Sequence, residues 1–327
     1  MSFTQITRKF DRLYRSKLFV PGSKPELVAK IFDRGIPDCV CLDLEDAVAP
    51  ADKVQARRNV VKLLNEADFR DIFVTVRING LDTQWCYRDV IELIEEGGER
   101  LDTIMIPKAG KAADIYAIDM LITQASAAAG RKKEIGIEVI IETAMGLENI
   151  NEICAGSSRM QSVHFGPADF AASMGMRTTS IGGAQKEYRV LTDPDEAGKR
   201  ELHWGDVWNY PLMRMVAAAR AQGLTPIDGP FGNFSDPDGF RAQAMRAAVM
   251  GCEGKWAIHP SQIALANEIF TPPPEAVEKA RGIIAAMMEA EAKGAGAVTY
   301  KGGLVDRASV RQAEVIVKKM QQIEGRK

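Results

Sequence analysis

Short apolar segments of the chain end in acidic residues that could hold a divalent cation. Glu142 directly follows the apolar run 139–141, and Asp169 follows the segment "HFGPA". An unpaired carboxylate at the end of a buried run costs roughly several kcal/mol, so it needs a cation, a hydrogen-bond donor or water. Proteins usually hold Mg²⁺ with one or two carboxylates, waters and substrate oxygens. We interpret Glu142 and Asp169 as ligands of Mg²⁺, with Mn²⁺ as the alternative ion, although each could instead cap a helix or pair with Arg77.

Arg77 lies near the end of the apolar stretch "VTVRING", which predicts that its positive charge points inward. A guanidinium there can bind a carboxylate through two hydrogen bonds or neutralise an oxyanion that develops during a reaction. The structural alternative is a buried ion pair with an acid of the second predicted strand, and the two roles are compatible. We expect Glu45 and Asp46, in "LDLEDAV", to orient Arg77 or metal-bound water.

Lys108, in "IPKAG", offers a different chemistry, because some aldolases form a Schiff base with a lysine. That reaction needs an amine whose pKa is lowered, whereas the many nearby acids are expected to raise it. Glu138 has the same strand parity as Glu142 but lies deeper along the strand. We therefore predict that Glu138 pairs with an interior cation.

Asp306 precedes the last predicted helix, in "GGLVDRAS". Helix capping is a sufficient explanation for it and is worth about 1 kcal/mol. The glycine pair before it, and its place in a terminal helical segment, also make it a candidate lid residue. Such a residue could enter the site of its own or a neighbouring subunit.

Eight short segments rich in β-branched residues are predicted to be the strands that position these side chains. They are 17–23, 39–46, 72–80, 103–110, 135–143, 162–169, 224–232 and 254–261. Helix-like segments lie between most of them, so the sequence predicts a (β/α)8 barrel, with a doubly wound open sheet as the weaker alternative. Catalytic residues of such barrels lie at the C-terminal ends of the strands, where the candidates above all fall except Glu138 and Asp306.

The prolines of "TPPPEAVEKA" predict a domain boundary, since consecutive prolines cannot extend a helix. We assign residues 1–270 to the catalytic barrel and residues 271–327 to a C-terminal helical lid. Within the lid, helices are predicted at 275–293 and 307–323, with a turn region at 294–303. After "GPADF", about forty residues precede the next predicted helix, and loops of this length are usually functional or ordered by a partner subunit.

Composition excludes several classes of protein. The 42 basic and 44 acidic residues nearly cancel, which argues against a nucleic-acid binder, although residues 1–30 are locally basic and could meet an anionic ligand. The five cysteines form no CxxC pair, which suits a reducing compartment. We find no signal peptide and no apolar run long enough for a membrane span, so we expect a cytosolic protein without a membrane partner. No serine-hydrolase elbow, GxGxxG turn or Walker loop occurs.

The ordered motifs of the chain resemble those of the citrate lyase β-subunit-like (HpcH/HpaI aldolase) family of magnesium-dependent carbon–carbon lyases. The similarity runs from about residue 18 to the C-terminus, and the order of the motifs makes it specific. The motifs are "LFVPGSKPE", "LDLEDAVAPADK", "RINGLDT", "IPKAG", "IETAMG", "FGPADFAAS", "TPIDGPFGNFSDPDGF" and "EGKWAIHPSQIALANEIFTP".

The resemblance implies a barrel with a C-terminal lid, in a homo-oligomer built of trimers. It implies metal binding by Glu142 and Asp169, oxyanion contact by Arg77, and a catalytic acid/base at Asp306 that crosses a subunit boundary. It also implies a coenzyme A site formed by Phe19, Lys24, Lys30, Ile258 and Pro260. Lys24 stands where relatives can carry arginine, so the detail of phosphate recognition differs.

The activity that the resemblance implies is cleavage of L-malyl-CoA to acetyl-CoA and glyoxylate, and of β-methylmalyl-CoA to propionyl-CoA and glyoxylate. The expected partners are thus a CoA thioester and glyoxylate. Citramalyl-CoA cleavage and malyl-CoA thioester hydrolysis are alternatives on the same scaffold. A non-enzymatic role within a larger complex is a further alternative, and it predicts no turnover by the isolated chain.

Overall fold

The computed structural model of the protein describes residues 12–31 and 35–325. Its strands, numbered along the chain, are β1 (Ser16–Pro21), β2 (Cys39–Asp43), β3 (Phe73–Arg77), β4 (Thr103–Ile106), β5 (Gly136–Ile141), β6 (Met160–Phe165), β7 (Arg189–Leu191), β8 (Leu202–Trp204), β9 (Thr225–Ile227), β10 (Lys255–Ala257), β11 (Val298–Tyr300) and β12 (Gly303–Val305). Eight of these strands form one parallel sheet in the order β10-β1-β2-β3-β4-β5-β6-β9. A parallel bridge between Asp228 and Lys255 joins its two ends. The predicted (β/α)8 barrel is confirmed, and each predicted strand overlaps an observed one.

Helices follow most of the barrel strands, as the alternation in the sequence predicts. They are α1 (Lys53–Glu66), α2 (Cys86–Glu95), α3 (Ala112–Ala128), α4 (Ala144–Glu148), α5 (Ile150–Ala155), α6 (Pro167–Ser173), α7 (Asn209–Ala221), α8 (Pro237–Met250), α9 (Ser261–Ile269), α10 (Pro274–Ala292) and α11 (Arg307–Glu324). After β1 the chain forms a 3-10 helix, Pro25–Lys30. No helix in the described ranges is both long enough and apolar enough to cross a membrane.

The chain divides into two compact units, the first ending at Asn267 and the second beginning at Glu268. In the first unit, the barrel strands are buried on both faces, as expected for parallel strands covered by helices. A core cluster inside the barrel includes Cys39, Cys41, Phe73 and Trp256. All five cysteines are buried and none forms a disulfide, which agrees with a packing role for Cys39 and Cys41.

A buried ion pair crosses the interior of the barrel. Lys17 of β1 and Glu138 of β5 are both fully buried, and the Lys17 ammonium donates to Glu138 and, at 2.8 Å, to Thr75 Oγ1. The predicted pairing of Glu138 with an interior cation is confirmed. The expectation that the basic N-terminal segment forms an anion-binding surface is wrong for Lys17, because strand alternation turns its side chain inward. Arg8 and Lys9 of that segment lie outside the described residues.

The segment between α6 and α7 is not structureless. Within it β7 and β8 form an antiparallel hairpin whose residues are exposed. In the second unit, α10 and α11 enclose a small core that includes Met287, Val305 and Val310. The region 294–303, predicted as a turn, contributes to a second hairpin, in which Val298 pairs with Val305 across β11 and β12.

Candidate active site

The C-terminal ends of the barrel strands surround a cavity of about 250 Å³. Six of the predicted site residues line it: Phe19, Asp46, Arg77, Glu142, Asp169 and Ile258. Glu45, Lys24, Lys30 and Pro260 do not appear among its lining residues. The barrel therefore brings together the two predicted metal ligands, the predicted oxyanion contact and part of the predicted coenzyme site.

Glu142 follows β5 directly, and its side chain is almost completely buried. Its Oε1 accepts a hydrogen bond from the backbone N–H of Lys108 at 2.7 Å. Its Oε2 occupies the space that a Cβ at position 166 would fill, so the site requires Gly166 after β6. Burial raises the pKa of Glu142 to about 8, even though the charges of Arg77 and Lys108 oppose this shift. The carboxylate thus lacks a sufficient counter-charge from the chain itself.

Lys108 has a left-handed backbone conformation with φ of +52°, which is uncommon for a residue with a side chain. This conformation lets its N–H reach Glu142 while its ammonium group contacts Glu45 and lies 3.4 Å from Asp46. Burial lowers the pKa of Lys108, but the hydrogen bond and charge of Glu45 outweigh burial and raise that pKa above its usual range. The predicted effect of the neighbouring acids is confirmed, and it disfavours Schiff-base chemistry.

Arg77 is buried at the end of β3, and its guanidinium is held from two sides. Its Nε and Nη2 each lie 2.7 Å from one oxygen of Asp43, and its Nη1 lies 2.8 Å from Glu45. The predicted ion pair with an acid of the second strand is confirmed. The ring centroids of Phe19 and Trp256 lie 5.5 and 6.0 Å from the guanidinium carbon. The charge is therefore oriented before any ligand arrives.

Glu45 and Asp46 flank these two cations, but their environments differ. Glu45 is buried between Arg77 and Lys108, and burial raises its pKa despite both charges. The Asp46 side chain is 55% exposed, and hydrogen bonding to Glu45 together with the charges of Lys108 and Arg77 outweighs partial burial and lowers its pKa. Contact with Arg77 agrees with the predicted orienting role. Their predicted role toward metal-bound water stays a prediction.

Asp169 lies in the first turn of α6, and its side chain is 37% exposed. Its nearest cationic atom is Lys108 Nζ at 3.9 Å, so it keeps oxygen available toward the cavity. Glu142 and Asp169 face the same cavity, and an oxygen-only donor set suits Mg²⁺. Among residues 12–31 and 35–325, no group of three or more His, Cys, Asp or Glu side chains forms a ready-made metal cluster. The residues present therefore fit an ion held by two carboxylates, with water or substrate supplying the other ligands.

The remaining predicted coenzyme A residues lie outside the cavity lining. Lys24 and Lys30 are exposed at the two ends of the 3-10 helix Pro25–Lys30, and Pro260 is half-buried. Phe19 and Ile258 are the members of this set that reach the cavity.

Asp306 lies in the second unit as the N-cap of α11. Its Oδ1 accepts a hydrogen bond from the N–H of Ser309 at 2.9 Å, which confirms the predicted capping role. The side chain is exposed, and the hydrogen bonds from Ser309 lower its pKa. In the single chain, solvent and the cap thus stabilise the carboxylate of Asp306.

Sequence reasoning left the acid that pairs with Arg77 unspecified, and it missed Trp256. Asp43 is directly opposite Arg77 in the register of β2 and β3, so pairing the two strands would have found it. Trp256 lies two residues before Ile258, which directly follows β10, and both line the cavity; the centroid of the Trp256 ring is 4.0 Å from that of Phe19. The alternation of "KWAI" carries this signal.

Comparison with known proteins assigns the chain to a family. A family model described as HpcH/HpaI aldolase/citrate lyase matches residues 15–260. An L-malyl-CoA/beta-methylmalyl-CoA lyase of Rhodobacter capsulatus is 56% identical over 97% of this chain and 98% of that protein. A malyl-CoA/beta-methylmalyl-CoA/citramalyl-CoA lyase of Chloroflexus aurantiacus is 38% identical over 86% of this chain and 80% of that protein.

A solved structure shows the same fold with ligands bound. Protein CitE of Mycobacterium tuberculosis, in complex with magnesium, acetoacetate and coenzyme A, has a TM-score of 0.68 and 26% identity. The match covers 94% of this chain and 97% of that chain. The resemblance inferred from the ordered motifs is confirmed: the chain belongs to the HpcH/HpaI aldolase/citrate lyase family and is an enzyme of the lyase class.

Proposed function

We propose that the protein catalyses the magnesium-dependent, reversible cleavage of L-malyl-CoA to acetyl-CoA and glyoxylate, and of β-methylmalyl-CoA to propionyl-CoA and glyoxylate. The observation that carries the proposal is the convergence of Glu142, Asp169 and Arg77 on one cavity. The relatives from Rhodobacter capsulatus and Chloroflexus aurantiacus, which are named for these substrates, support it.

Glu142 and Asp169 would hold the divalent ion at the glyoxylate end of the cavity. When bound, the ion supplies Lewis acidity to the oxygens of the glyoxylate half. Arg77 would stabilise the enolate of the thioester, which receives the electron pair of the breaking carbon–carbon bond. Since Asp43 and Glu45 already fix the guanidinium, little reorganisation is needed as that charge develops.

Asp306 would move the proton at carbon. In cleavage the hydroxyl group of the malyl half loses its proton as the glyoxylate carbonyl forms, and the enolate carbon takes up a proton and becomes the acetyl group. In condensation Asp306 would remove that proton from acetyl-CoA, and the new alkoxide would take one up. We place this residue in the site of a neighbouring subunit of a trimer-based homo-oligomer. Entry into a water-poor cavity would replace its capping and solvent contacts and raise its pKa toward that of a useful base.

The coenzyme would lie along the side of the cavity formed by Phe19 and Ile258. Lys24 and Lys30, exposed at the ends of the short helix after β1, would meet its phosphates, and Pro260 would wall the adenine. A lysine at position 24 keeps the charge but lacks the two-pronged geometry of arginine. The buried cysteines, none of which is in a disulfide, support the cytosolic location that we propose.

One assay tests the proposal. The purified protein is incubated with malyl-CoA and MgCl2, with and without a chelator, and glyoxylate, acetyl-CoA and free malate are measured over time. We expect glyoxylate and acetyl-CoA in equal amounts and only when metal is present. Free malate appearing first would indicate a thioesterase instead. In a parallel assay with citramalyl-CoA, pyruvate formation faster than glyoxylate formation from malyl-CoA would identify citramalyl-CoA as the preferred substrate.

Paired variants link the assay to the site. Glu142→Gln should lower turnover strongly at any magnesium concentration, because it removes the negative charge of one of the two proposed metal ligands. Glu148→Gln, an exposed glutamate on α4, should leave turnover unchanged. Full activity of Glu142→Gln, or no turnover by the unmodified chain, would refute the proposed function.

A further inference from the structure

Trp256 forms part of the cavity wall although its indole is almost completely buried. The ring packs on Phe19 with 4.0 Å between centroids and an angle of 31° between planes. Both rings belong to the side of the cavity where the thioester would lie. The position of this wall therefore depends on what holds the indole.

Within the described residues the indole N–H makes one hydrogen bond, from Trp256 Nε1 to His164 Nδ1 at 2.9 Å. An indole N–H can only donate, so His164 Nδ1 must accept, and hydrogen bonding assigns the ring proton to Nε2. Nε2 lies 2.9 Å from Ser162 Oγ and 3.5 Å from Glu138 Oε2. The histidine is fully buried, and burial lowers its pKa to about 4, which keeps it in this neutral form near pH 7.

His164 is in turn fixed by the buried ion pair of Lys17 and Glu138 inside the barrel. Glu138 Oε2 contacts both the Lys17 ammonium and His164, and Thr75 Oγ1 lies 3.3 Å from the same oxygen. The contacts run from β1 through β5 and β6 to β10, so four strands act together on one side chain. Within the described part of the chain Glu138 Oε1 has no hydrogen-bond partner, so Oε2 carries the polar contacts of this carboxylate.

We infer that His164 is a positioning residue, which fixes the Trp256 indole as the aromatic wall against which the CoA thioester binds. The inference rests on the proposed function for the identity of the ligand. It separates ligand binding from chemistry, because the hydrogen bonds from Arg77 to Asp43 and from the Lys108 N–H to Glu142 do not involve the indole. Loss of the histidine acceptor should weaken thioester binding and change the chemical step little.

The test uses the full chain labelled with 5-fluorotryptophan and acetyl-CoA as the probe. The ¹⁹F signal of Trp256 is assigned with Trp256→Phe, and acetyl-CoA binding is measured by calorimetry. His164→Leu removes the acceptor, whereas His164→Gln keeps an amide oxygen that can replace it. Val163→Ala, a fully buried neighbour on β6, controls for general loss of packing.

In His164→Leu we expect the ¹⁹F signal of Trp256 to shift. The Kd for acetyl-CoA and the KM for malyl-CoA should each rise about tenfold, because one buried hydrogen bond is lost. The kcat should stay within about threefold of that of the unmodified protein. His164→Gln should restore most of the affinity, and Val163→Ala should move neither the signal nor the Kd. If His164→Leu does not fold, Trp256→Phe should reproduce the rise in Kd, because it removes the donor of the same bond.

An unchanged Trp256 signal in His164→Leu would overturn the inference, and so would a shifted signal with unchanged acetyl-CoA affinity. A tenfold fall in kcat at constant KM would overturn it as well. Failure of the proposed function can be told apart from failure of this inference, because acetyl-CoA binding and the ¹⁹F signal can be measured without turnover. A protein that binds acetyl-CoA through Trp256 without cleaving malyl-CoA would refute the proposed reaction and support the role of His164.

Discussion

Replacing Arg77 by methionine should separate its structural role from its chemical role. Its guanidinium makes three contacts with buried carboxylates, two of 2.7 Å to Asp43 and one of 2.8 Å to Glu45. Removing one partner of a buried pair leaves an uncompensated charge and typically costs about 3–5 kcal/mol. We therefore expect Arg77→Met to lower the free energy of unfolding by about this amount, measured by urea unfolding at neutral pH.

The double variant Asp43→Leu/Arg77→Met should recover most of that loss. An apolar pair of similar volume often replaces a buried ion pair at little or no cost. Glu45 keeps Lys108 as a partner in the double variant. We expect the double variant to lie within about 1–2 kcal/mol of the unmodified protein, and thus a strong coupling between the two sites.

Activity should not recover with stability. Loss of a preorganised oxyanion contact typically lowers kcat by about 10²–10³-fold, and the apolar pair cannot supply that contact. The matched control is Arg57→Met, which breaks a buried pair with Asp89 between α1 and α2, away from the cavity. It should destabilise the protein comparably and leave the kcat of the folded fraction unchanged. Additive effects of the two single changes, or an active double variant, would refute this reasoning.

Three further predictions follow from single side chains. Asp306→Asn should keep the free energy of unfolding within about 0.5 kcal/mol of that of the unmodified protein, since asparagine is an equally good N-cap. The same change should abolish deuterium exchange at the acetyl group of acetyl-CoA, and continued exchange would show that Asp306 is not the base. Borohydride treatment with glyoxylate should leave no adduct on Lys108 by mass spectrometry, and an adduct would indicate Schiff-base chemistry. The pKa of His164 is lowered from its ordinary 6.5 to about 4, so the native state binds fewer protons than the unfolded state between these two pH values. The contribution of His164 to the free energy of unfolding should therefore be fully present above pH 6.5 and fall by about 3 kcal/mol as the pH is lowered to 4. His164→Gln should remove this slope in urea unfolding measured against pH.

The barrel could be predicted because each strand carries a local signal. Runs such as 39–42 and 139–141 are apolar and are followed directly by an acidic residue, and this pattern needs no knowledge of distant contacts. The hairpin at 298–305 escaped prediction because its strands have three residues each and lie beside glycines, which are typical of turns. Short strands form here because pairing with each other, and not propensity, stabilises them.

The candidate site was predictable only where one residue carries the signal. Position at or just after the carboxyl end of a strand identifies Arg77 and Glu142, since a parallel barrel brings such positions to one end. The pairing of Arg77 with Asp43 depends on register, and the contact between Trp256 and His164 joins residues 92 positions apart. Nor does a basic stretch of sequence indicate that Lys17 points into the barrel. These features depend on how several strands pack together, which a single sequence specifies only indirectly.

Glu138 and Glu142 stand four residues apart, face the same interior, and have opposite pKa shifts. Burial is the largest effect on both carboxyl groups, yet Lys17 lowers the pKa of Glu138 to about 2 while the pKa of Glu142 rises to about 8. The difference lies in the supply of positive charge, because Glu138 has its own cation and Glu142 must share two. Among the described residues, the carboxyl end of the barrel sets the carboxylates of Asp43, Glu45, Asp46, Glu142 and Asp169 against the cations of Arg77, Lys108 and Lys53. Lys53 donates to the backbone oxygens of Leu44 and Glu45, so it does not pair with Glu142. A divalent ion is stabilised most where the chain leaves its carboxylates short of positive charge, and in this barrel that place is the cavity.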